Sequence, residues 1–551
     1  MKRKVVSMLL AAAMVCSLAA CGNKNNDVSK ESTSKSSEVK QESSASAKSS
    51  EAAEEETVTY PLDTDEKLTI AMMYYDFKTT PNSADITQTP FFEEYQKRTG
   101  VELEIVTYEA EDAYNLILAG DDLPDILMWA PILTSNDQQI VDDGIVSSLT
   151  ADEISKWAPN LATVLEAYPN ARKELTLSDG SVIGFPFLTG DDKMMATNGL
   201  IVRGDWLDQL GISAPTTPEE FLDMLRAFKK EMGAEYPMAL TSHRMNLLFN
   251  YGFFSSPYGL ITSGAYVKDG QYHLGWAEPE HKKVLEFFHT MYEEGLINPD
   301  YLTLDQASVD GMLYDGRTGV VQQSVIGGLG TYVPNMKKAN PEAELRGIGS
   351  LLGANGERAY YGATENAVGE FKGLISTGCK NKELAMRFLD WGYSEEGQLF
   401  LQFGVEGVSY EMKDGKPVYT DLIINNPDGL TSGQAMNQYS RGGCFWTYVS
   451  RLEYFEQVTA MPEQRGAVEA WDANDRYTYK VPAISVPQDL KDENSKISSD
   501  MNTYVSEMRA KFISGEESLD NFDAYLAKLK ELGLERRLEI MQTALDEFNS
   551  R

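Results

Sequence analysis

The chain has 551 residues, of which 42% are hydrophobic and 10% aromatic, and it carries a formal net charge of -35. This length and apolar content allow a folded body of two or more domains. The negative charge argues against nucleic acid and anionic lipid surfaces as partners, because both would repel the protein.

The N-terminus carries the pattern of an export signal. Basic residues 2–4 precede an apolar stretch of small residues at 5–20, which is too short for a stable transmembrane helix. Residues 18–21, Leu-Ala-Ala-Cys, resemble the bacterial lipobox, whose cysteine receives a diacylglycerol and becomes the new N-terminus. We therefore predict a lipoprotein signal peptide at 1–20 and lipidation of Cys21, where two acyl chains would give stable attachment. A plain secretory signal or an uncleaved anchor is the alternative.

The segment after Cys21 has the composition of a tether. Residues 22–57 hold almost no large apolar side chains and are dominated by Ser, Lys and Glu. Such a segment cannot bury enough surface to offset the entropy lost on ordering. We predict a disordered tether at 21–60, with a root-mean-square reach of roughly 30 to 35 Å for a flexible coil.

Strand-like and helix-like patterns alternate beyond the tether. The patterns predict strands at 67–75, 101–106 and 125–129, and helices at 90–99 and 113–119. The first of these helices should end at Gly100. This βαβαβ order predicts a mostly parallel sheet that binds ligands beyond the carboxyl ends of its strands.

Later helices show apolar stripes that belong to a core. Residues 217–220, Thr-Pro-Glu-Glu, form a capping box with proline at the first helical position, and an amphipathic helix follows. A second apolar stripe runs through 284–292 and ends before Gly295. Trp206 and Trp391 lie within such helical patterns, so we predict both to be core residues.

Signatures of metal binding and catalysis are missing from the sequence. The four histidines show no H-E-x-x-H or tight ligand spacing, and there is no G-x-S-x-G elbow, Walker loop or G-x-G-x-x-G. Neighbouring carboxylates are expected by chance among 84 acidic residues and do not specify a glycosidase. We predict no catalytic residue, metal site or cofactor. Cys379 and Cys444 could form one bridge or remain two separate buried thiols.

An ordered series of short motifs resembles one protein family. The motifs lie at 120–129, 179–186, 200–211, 293–300, 316–319, 381–397 and 404–410. Together they are similar to extracellular solute-binding proteins of family 1, the substrate-binding lipoproteins of ABC transporters, and most of all to the LplA-like long subgroup of Gram-positive bacteria. The resemblance runs from about residue 65 to 410.

The resemblance implies an α/β chain with the type II periplasmic-binding-protein fold, in which two lobes with mostly parallel sheets are joined by a hinge. The implied domains are lobe one at 61–190, lobe two at 191–325, a return to lobe one at 326–430, and a C-terminal helical part at 431–551 that packs mainly on lobe two. The crossings would lie near 185–196 and 361–367.

A protein of this kind would capture a carbohydrate, and we expect an oligosaccharide, in the cleft between the lobes. It would deliver this ligand to the transmembrane subunits of an ABC permease. We expect a monomer without enzyme activity, anchored by lipid at the extracellular face of the cell membrane. The alternatives are a cell-surface polysaccharide-degrading enzyme, and a binding protein of the same fold for a peptide or another solute.

Sugars present apolar C–H faces and hydroxyl rims, so their sites need aromatic platforms beside carboxylates, amides and arginines. Trp129 follows the third predicted strand and matches an aromatic that stacks on sugar in maltose-binding relatives; a packed tryptophan at the rim is the alternative. The other expected ligand contacts, each with a structural role as the alternative, are Tyr75 and Asp76 after the first strand, Phe187 at the first crossing, Glu365 and Asn366 at the second, and Trp446 in a glycine-containing segment.

Overall fold

The structure is a computed structural model that describes residues 58–73, 86–108, 117–118, 120, 122–128, 137–363, 367–430, 432–442 and 446–551. The predicted signal peptide, most of the predicted tether and most of the predicted helix at 113–119 lie outside these residues. So do six of the named candidates: Cys21, Tyr75, Asp76, Trp129, Glu365 and Asn366. None of the described helices is both long and apolar enough to cross a lipid bilayer.

The described chain mixes short strands with helices. The strands are β1 (Lys67–Met73), β2 (Glu102–Tyr108), β3 (Ile126–Met128), β4 (Phe185–Thr189), β5 (Asn198–Arg203), β6 (Ala265–Lys268), β7 (Gln271–Leu274), β8 (Val320–Ser324), β9 (Leu345–Ile348), β10 (Val368–Ile375), β11 (Tyr410–Lys413), β12 (Lys416–Tyr419) and β13 (Val449–Ser450). The helices are α1 (Pro90–Thr99), α2 (Asp137–Asp142), α3 (Ala151–Trp157), α4 (Pro159–Ala167), α5 (Pro169–Leu175), α6 (Gly204–Leu210), α7 (Pro218–Glu231), α8 (Ser242–Asn250), α9 (His281–Glu293), α10 (Gln306–Tyr314), α11 (Gly330–Ala339), α12 (Lys382–Asp390), α13 (Glu395–Phe403), α14 (Asp421–Ile424), α15 (Ser432–Tyr439), α16 (Leu452–Val458), α17 (Pro462–Asp472), α18 (Arg476–Tyr479), α19 (Lys491–Ser514), α20 (Phe522–Glu531) and α21 (Leu534–Ser550). Short 3-10 turns occupy Ile86–Gln88, Asp192–Met195, Ser256–Tyr258, Gly275–Ala277, Trp391–Tyr393, Gln488–Leu490 and Leu519–Asn521, and a π turn occupies Val325–Leu329.

Local sequence signals set several helix ends where they were predicted. The N–H of Glu220 donates to the Thr217 hydroxyl at 3.3 Å, and the Glu220 carboxylate accepts from the Thr217 N–H at 3.2 Å. This reciprocal capping box starts α7 and satisfies two backbone donors that the first turn leaves without partners. Helix α1 ends at Gly100, whose φ of 76° lies in the left-handed region that favours glycine.

The first sheet has the strand order β13-β4-β10-β3-β1-β2. Strand β1 pairs in parallel with β2 and β3, as the βαβαβ pattern predicted, and β13 pairs in parallel with β4. Strand β10 runs antiparallel to both β3 and β4. The carboxyl ends of β1, β3, β4 and β13 therefore meet at one edge of the sheet, together with the amino end of β10.

The second sheet has the order β8-β5-β9, and both pairs are antiparallel. Met238 adds single parallel bridges to Val320 and Ile297. The expectation of mostly parallel sheets is therefore wrong for the described pairs of this sheet. The physical reason is that β5 carries the chain away from the first sheet, whereas β8 and β9 both run back towards it.

Each sheet has its own hydrophobic core. The first core draws on residues 68–188, 368–401 and 446–449, and the second draws on 200–363 and 501–545. Successive strand residues face opposite sides of a sheet, so Leu200 and Val202 enter the second core while Ile201 joins a third cluster with Trp471 on the other face. We term the first sheet with its core lobe one, and the second sheet with its two flanking clusters lobe two.

Strand pairing divides the chain differently from the predicted boundaries in two places. Strand β9 pairs with β5, and Ala363 is still part of the second core, so the chain returns to lobe one after 363 and not at 326. Strand β13 pairs with β4, so the C-terminal part visits lobe one before α19 to α21 pack on lobe two. Trp206 and Trp391 are 6% and 1% exposed, which confirms both as core residues.

Candidate functional site at the interlobe edge

The described residues show three passages of the chain between the two sheets. It leaves β4 and enters β5 through residues 190–197, returns from β9 to β10 through 349–367, and leaves β13 for α16, whose Phe455 packs in lobe two. The first two passages join the carboxyl edge of the first sheet to the edge formed by the amino end of β5 and the carboxyl ends of β8 and β9. We term this pair of facing edges the interlobe edge.

Backbone hydrogen bonds join the first crossing to the second and to the third, and a side chain of α18 adds a further bond to the first. The N–H of Thr189 donates to the carbonyl oxygen of Ala367 at 2.9 Å, and the N–H of Gly190 donates to that of Ser450 at 3.1 Å. The Tyr477 hydroxyl donates to the carbonyl oxygen of Asp192 at 3.1 Å. A change in the angle between the lobes would therefore involve the three crossings together, as expected of a hinge.

Phe187 lies on β4, two residues before the last residue of that strand. Its ring is partly buried and meets the ring of Tyr448 edge to face, with centroids 5.2 Å apart. Gly369 on the neighbouring strand has no room for a Cβ because the Phe187 ring occupies that space. The ring thus has a fixed position near the interlobe edge and retains some exposed surface.

Trp446 lies in the core of lobe one. Its side chain is 1% exposed, its indole N–H donates to the Tyr95 hydroxyl at 3.3 Å, and its ring packs edge to face on Phe92. A ring that is enclosed on all sides has no face to offer a sugar. The expectation that Trp446 contacts ligand is corrected accordingly, because the three-dimensional packing of α1 against this segment encloses the indole.

The lobe-two side of the edge carries a polar cluster that the sequence patterns did not reveal. Its centre is Arg244 on the first turn of α8, whose N–H donates to the capping Thr241 hydroxyl at 3.2 Å. The guanidinium donates to three glutamine side-chain oxygens: Gln306 at 3.1 Å, Gln322 at 3.2 Å and Gln323 at 2.8 Å. We term these four residues, with Asp310 and Tyr332, the Arg244 cluster.

The cluster is assembled from separate elements. Gln306 is the first residue of α10, and Gln322 and Gln323 lie near the carboxyl end of β8, at the interlobe edge. Asp310 accepts hydrogen bonds from the Tyr332 hydroxyl at 2.5 Å and from the Gln306 amide at 2.9 Å. The residues of this cluster are far apart in the sequence. An arginine in the first turn of a helix and a neighbouring Gln-Gln pair are visible in the sequence, but neither by itself indicates a site.

Burial acts on the charged groups of this cluster. Loss of hydration lowers the pKa of Arg244, and nearby Tyr332, Asp310 and Tyr251 act in the opposite direction. Burial and the charge of Arg244 lower the pKa of His243, so this imidazole is neutral at neutral pH. In this cluster the guanidinium therefore donates directly to uncharged amides, and the Asp310 carboxylate acts on it at longer range.

An aromatic cavity of about 380 Å³ lies next to the second crossing. Its walls include Tyr251, Tyr272, Trp276 and Tyr361, with Asn250 as a polar member. Tyr361 belongs to the second crossing, and Tyr251 is one of the groups whose charge acts on Arg244. The cavity therefore combines aromatic rings with the Asn250 amide and lies near Arg244. Sugar recognition requires groups of these kinds.

The thiols and possible metal ligands add no further site. Among the residues that the structure describes, no group of three or more His, Cys, Asp or Glu side chains is placed to hold a metal ion. Burial raises the pKa of the Cys379 thiol to about 12, which makes it a poor nucleophile at neutral pH. Cys444 lies outside the described residues, so their pairing stays an open alternative.

Comparison with known proteins identifies the family. The family model described as bacterial extracellular solute-binding protein matches residues 80–399. The chain is 24% identical over 574 residues to the fructooligosaccharide ABC transporter substrate-binding protein FusA of Streptococcus pneumoniae serotype 4 (strain ATCC BAA-334 / TIGR4), covering 99% of this chain and 98% of FusA. It is also 24% identical to the lipoprotein LipO of Bacillus subtilis (strain 168), covering 81% of this chain and 86% of LipO.

Solved structures show the same fold. The alginate-binding protein AlgQ2, crystallised without calcium ion, superposes with a TM-score of 0.70 at 22% identity, covering 88% of this chain and 99% of AlgQ2. This likeness, the two sheets joined by three crossings and the family match over most of the chain agree with one another. The protein belongs to the family of bacterial extracellular solute-binding proteins.

Proposed function

We propose that this protein captures an oligosaccharide in the cleft at the interlobe edge and delivers it to the transmembrane subunits of an ABC permease. The observation that carries the proposal is the match to FusA, a fructooligosaccharide-binding protein by name, over 99% of this chain. The sequence match to FusA spans both lobes and the crossings, so it includes the segments that could border the cleft.

The groups at the interlobe edge suit a carbohydrate. Sugar hydroxyls donate and accept hydrogen bonds, so they are recognised by amides and guanidinium groups in fixed positions. The Arg244 cluster provides both kinds of group, and the partly exposed rings of Tyr251 and Trp276 in the aromatic cavity can meet the apolar faces of sugars. Phe187 offers a further ring from lobe one.

The proposed ligand contacts on lobe one follow from strand direction. Tyr75 and Asp76 come just after the carboxyl end of β1, Trp129 comes just after β3, and Glu365 and Asn366 come just before the amino end of β10. These three strand ends share the carboxyl edge of the first sheet. We therefore retain these five residues as proposed contacts.

Ligand binding would draw the lobes together about the crossings. The ligand stabilises the closed state only to the extent that it contacts both lobes, since a ligand shifts an equilibrium by its differential affinity for the two states. The closed, loaded form is then the one that the permease distinguishes from the empty form. The protein acts as a monomer in this scheme and catalyses no reaction.

Attachment to the outer face of the cell membrane completes the proposal. Cys21 would carry the lipid, and residues 21–60 would form the tether between the lipid and the folded body. Support comes from the lipobox-like sequence at 18–21 and from the relative LipO, which is named a lipoprotein. An anchored binding protein stays close to its permease, which raises the effective concentration of loaded protein there.

A thermal-shift screen of the protein against oligosaccharides, monosaccharides and peptides tests the proposal. A ligand stabilises the folded state by RT ln(1 + [L]/Kd), so an oligosaccharide should raise the melting temperature and monosaccharides or peptides should not. Reducing ends should be assayed in the same samples. A peptide as the tightest ligand, or reducing ends that accumulate with time, would replace the proposal with another solute or with an enzyme.

A further inference from the structure

The hydrogen-bond partners of Arg244 are uncharged, although the chain is acidic. With 84 acidic residues available, arginines of lobe two such as Arg203, Arg317 and Arg346 form ion pairs with nearby carboxylates. No carboxylate of the described residues forms an ion pair with Arg244. Its hydrogen bonds go to the uncharged side-chain oxygens of Gln306, Gln322 and Gln323.

The nearest acid of the cluster is already engaged. One oxygen of Asp310 accepts from both the Tyr332 hydroxyl and the Gln306 amide. Its charge reaches Arg244 only at longer range, through the Gln306 side chain that lies between them. The positive charge of Arg244 therefore has no direct counter-charge, although burial makes a counter-charge valuable.

Hydrogen-bond donors are in excess at this place. A guanidinium has five N–H groups, and the three bonds to glutamine oxygens use one each on Nε, Nη1 and Nη2. One N–H on each terminal nitrogen takes part in no further hydrogen bond among the described residues, and guanidinium N–H groups are strong donors to a carboxylate. The buried amide nitrogen of Gln322 also has no acceptor among the described residues.

The cluster lies at the interlobe edge, and Arg244 is its partly exposed donor, whereas the Gln322 amide is buried. Gln322 and Gln323 lie next to Ser324, the last residue of β8, where the second sheet faces the first. Arg244 is only partly buried, and its neighbour His243 is exposed. The positive Arg244 guanidinium, with N–H groups available at the interlobe edge, favours a ligand that is negatively charged and has hydrogen-bond acceptors.

We propose that Arg244 binds a carboxylate of the ligand, so that the oligosaccharide taken by this cleft is acidic and contains uronic-acid units. This inference rests on the proposed function and narrows its substrate class. If Arg244 has only a structural role, it joins α8 to α10 and β8. The affinity of the cleft would then not depend on the charge of the ligand.

Binding calorimetry with paired ligands tests the inference. The probes are oligosaccharide mixtures from polygalacturonate, alginate and glucuronan, each used as prepared and after chemical reduction of its carboxylates to neutral hydroxymethyl groups, with neutral fructo- and gluco-oligosaccharides beside them. At least one acidic mixture should bind, and its reduced form should bind about tenfold to a hundredfold more weakly. Added salt should weaken binding of the acidic form more than that of any neutral one.

Variants identify the responsible residue. Arg244→Gln should lose the preference for the acidic form, and Arg244→Lys should retain part of it because the charge stays while the paired donors are lost. Arg317→Gln is the matched control, since this exposed arginine of lobe two pairs with Glu235 on the surface. If Arg244→Gln fails to fold, the comparison of acidic and reduced ligands on the unchanged protein decides.

The outcomes separate the two proposals. Equal binding of acidic and reduced ligands, or a tight neutral ligand that Arg244→Gln affects no more than Arg317→Gln does, overturns the acidic-ligand inference and leaves the oligosaccharide function standing. Absence of binding to every carbohydrate, with a peptide or another solute bound instead, overturns both. If Arg244→Gln still prefers the acidic ligand, another residue must contact the carboxylate, and the proposed role of Arg244 is wrong.

Discussion

The backbone N–H of Gly190 donates to the carbonyl oxygen of Ser450 across 3.1 Å, joining the first crossing to the third. The two strands approach so closely that a Cβ at position 190 would collide with this oxygen. Because the oxygen belongs to the backbone, it has no flexible side chain that could move away.

We expect Gly190→Ala to lower the free energy of unfolding by about 1 to 3 kcal/mol, the usual cost of overpacking, and to weaken ligand binding by disturbing the crossings. Gly466→Ala is the control, because a Cβ there meets nothing within 4 Å and alanine favours its helix α17. Denaturant titration and calorimetry measure the two effects. Equal stability of Gly190→Ala and Gly466→Ala would show that the crossings can separate without cost.

Trp129 and Trp446 should respond in opposite ways to replacement by alanine. If a sugar ring stacks on Trp129, its loss should reduce ligand affinity about tenfold to several hundredfold and change stability less. Trp446→Ala should cost about 3 to 5 kcal/mol of folding free energy, because it empties a core position, and leave the affinity of folded molecules unchanged. A large loss of stability in Trp129→Ala with normal affinity would remove Trp129 from the site.

Asp390 should make stability depend on pH. Its buried carboxylate accepts from the N–H groups of Leu161 at 2.7 Å and Asn160 at 3.3 Å at the start of α4, and burial raises its pKa from 3.8 to about 6. A raised pKa means that the folded state binds the proton more tightly. The resulting stabilisation is complete below the unfolded pKa near 3.8 and is lost as the pH rises through about 6.

Relative to Asp390→Asn, the unchanged protein should therefore lose about 2 kcal/mol of unfolding free energy between pH 4 and pH 7. Denaturant titrations of both proteins at several pH values measure this difference, and carboxylates common to both cancel in it. A difference that stays constant with pH would mean that Asp390 titrates normally in the folded protein.

Replacing Cys21 by serine should abolish lipid attachment. The protein should then enter the medium or stay unprocessed, because serine lacks the thiol that accepts the diacylglycerol. Labelling cells with a radioactive fatty acid and fractionating them measures both properties. A Cys21→Ser protein that remains in the membrane with undiminished label would contradict the proposed anchor, and Cys379→Ser serves as the control for loss of an unrelated cysteine.

Ligand should make the particle more compact. Closure about the three crossings brings the lobes together, so the radius of gyration from small-angle scattering should fall when a saturating ligand is added to the full chain carrying Cys21→Ser. The same ligand at a concentration far below its Kd provides the reference. An unchanged radius at saturation would count against closure.

Much of the local structure could be predicted from the sequence. The capping box at Thr217 and Glu220, the glycine that ends α1 and the core positions of Trp206 and Trp391 depend on neighbours three or four residues away. The parallel β1–β2 pair could be predicted for a related reason, since the helical pattern of α1 lies between the two strands in the sequence. The ordered family motifs indicated the two-lobed fold, which the comparisons confirm.

Tertiary structure decided the rest. Trp446 and Phe187 are both aromatic residues near crossings, but only the packing of α1 shows that the first is enclosed while the second keeps exposed surface. The antiparallel second sheet and the late return to lobe one depend on pairing between strands more than a hundred residues apart. Arg244 meets the glutamines at 306, 322 and 323 only because folding brings α8, α10 and β8 together. The periodicity of a sequence segment indicates which face of its helix or strand is apolar. The charges and hydrogen-bond partners around a given side chain are supplied by distant segments, and these come together only when the chain folds.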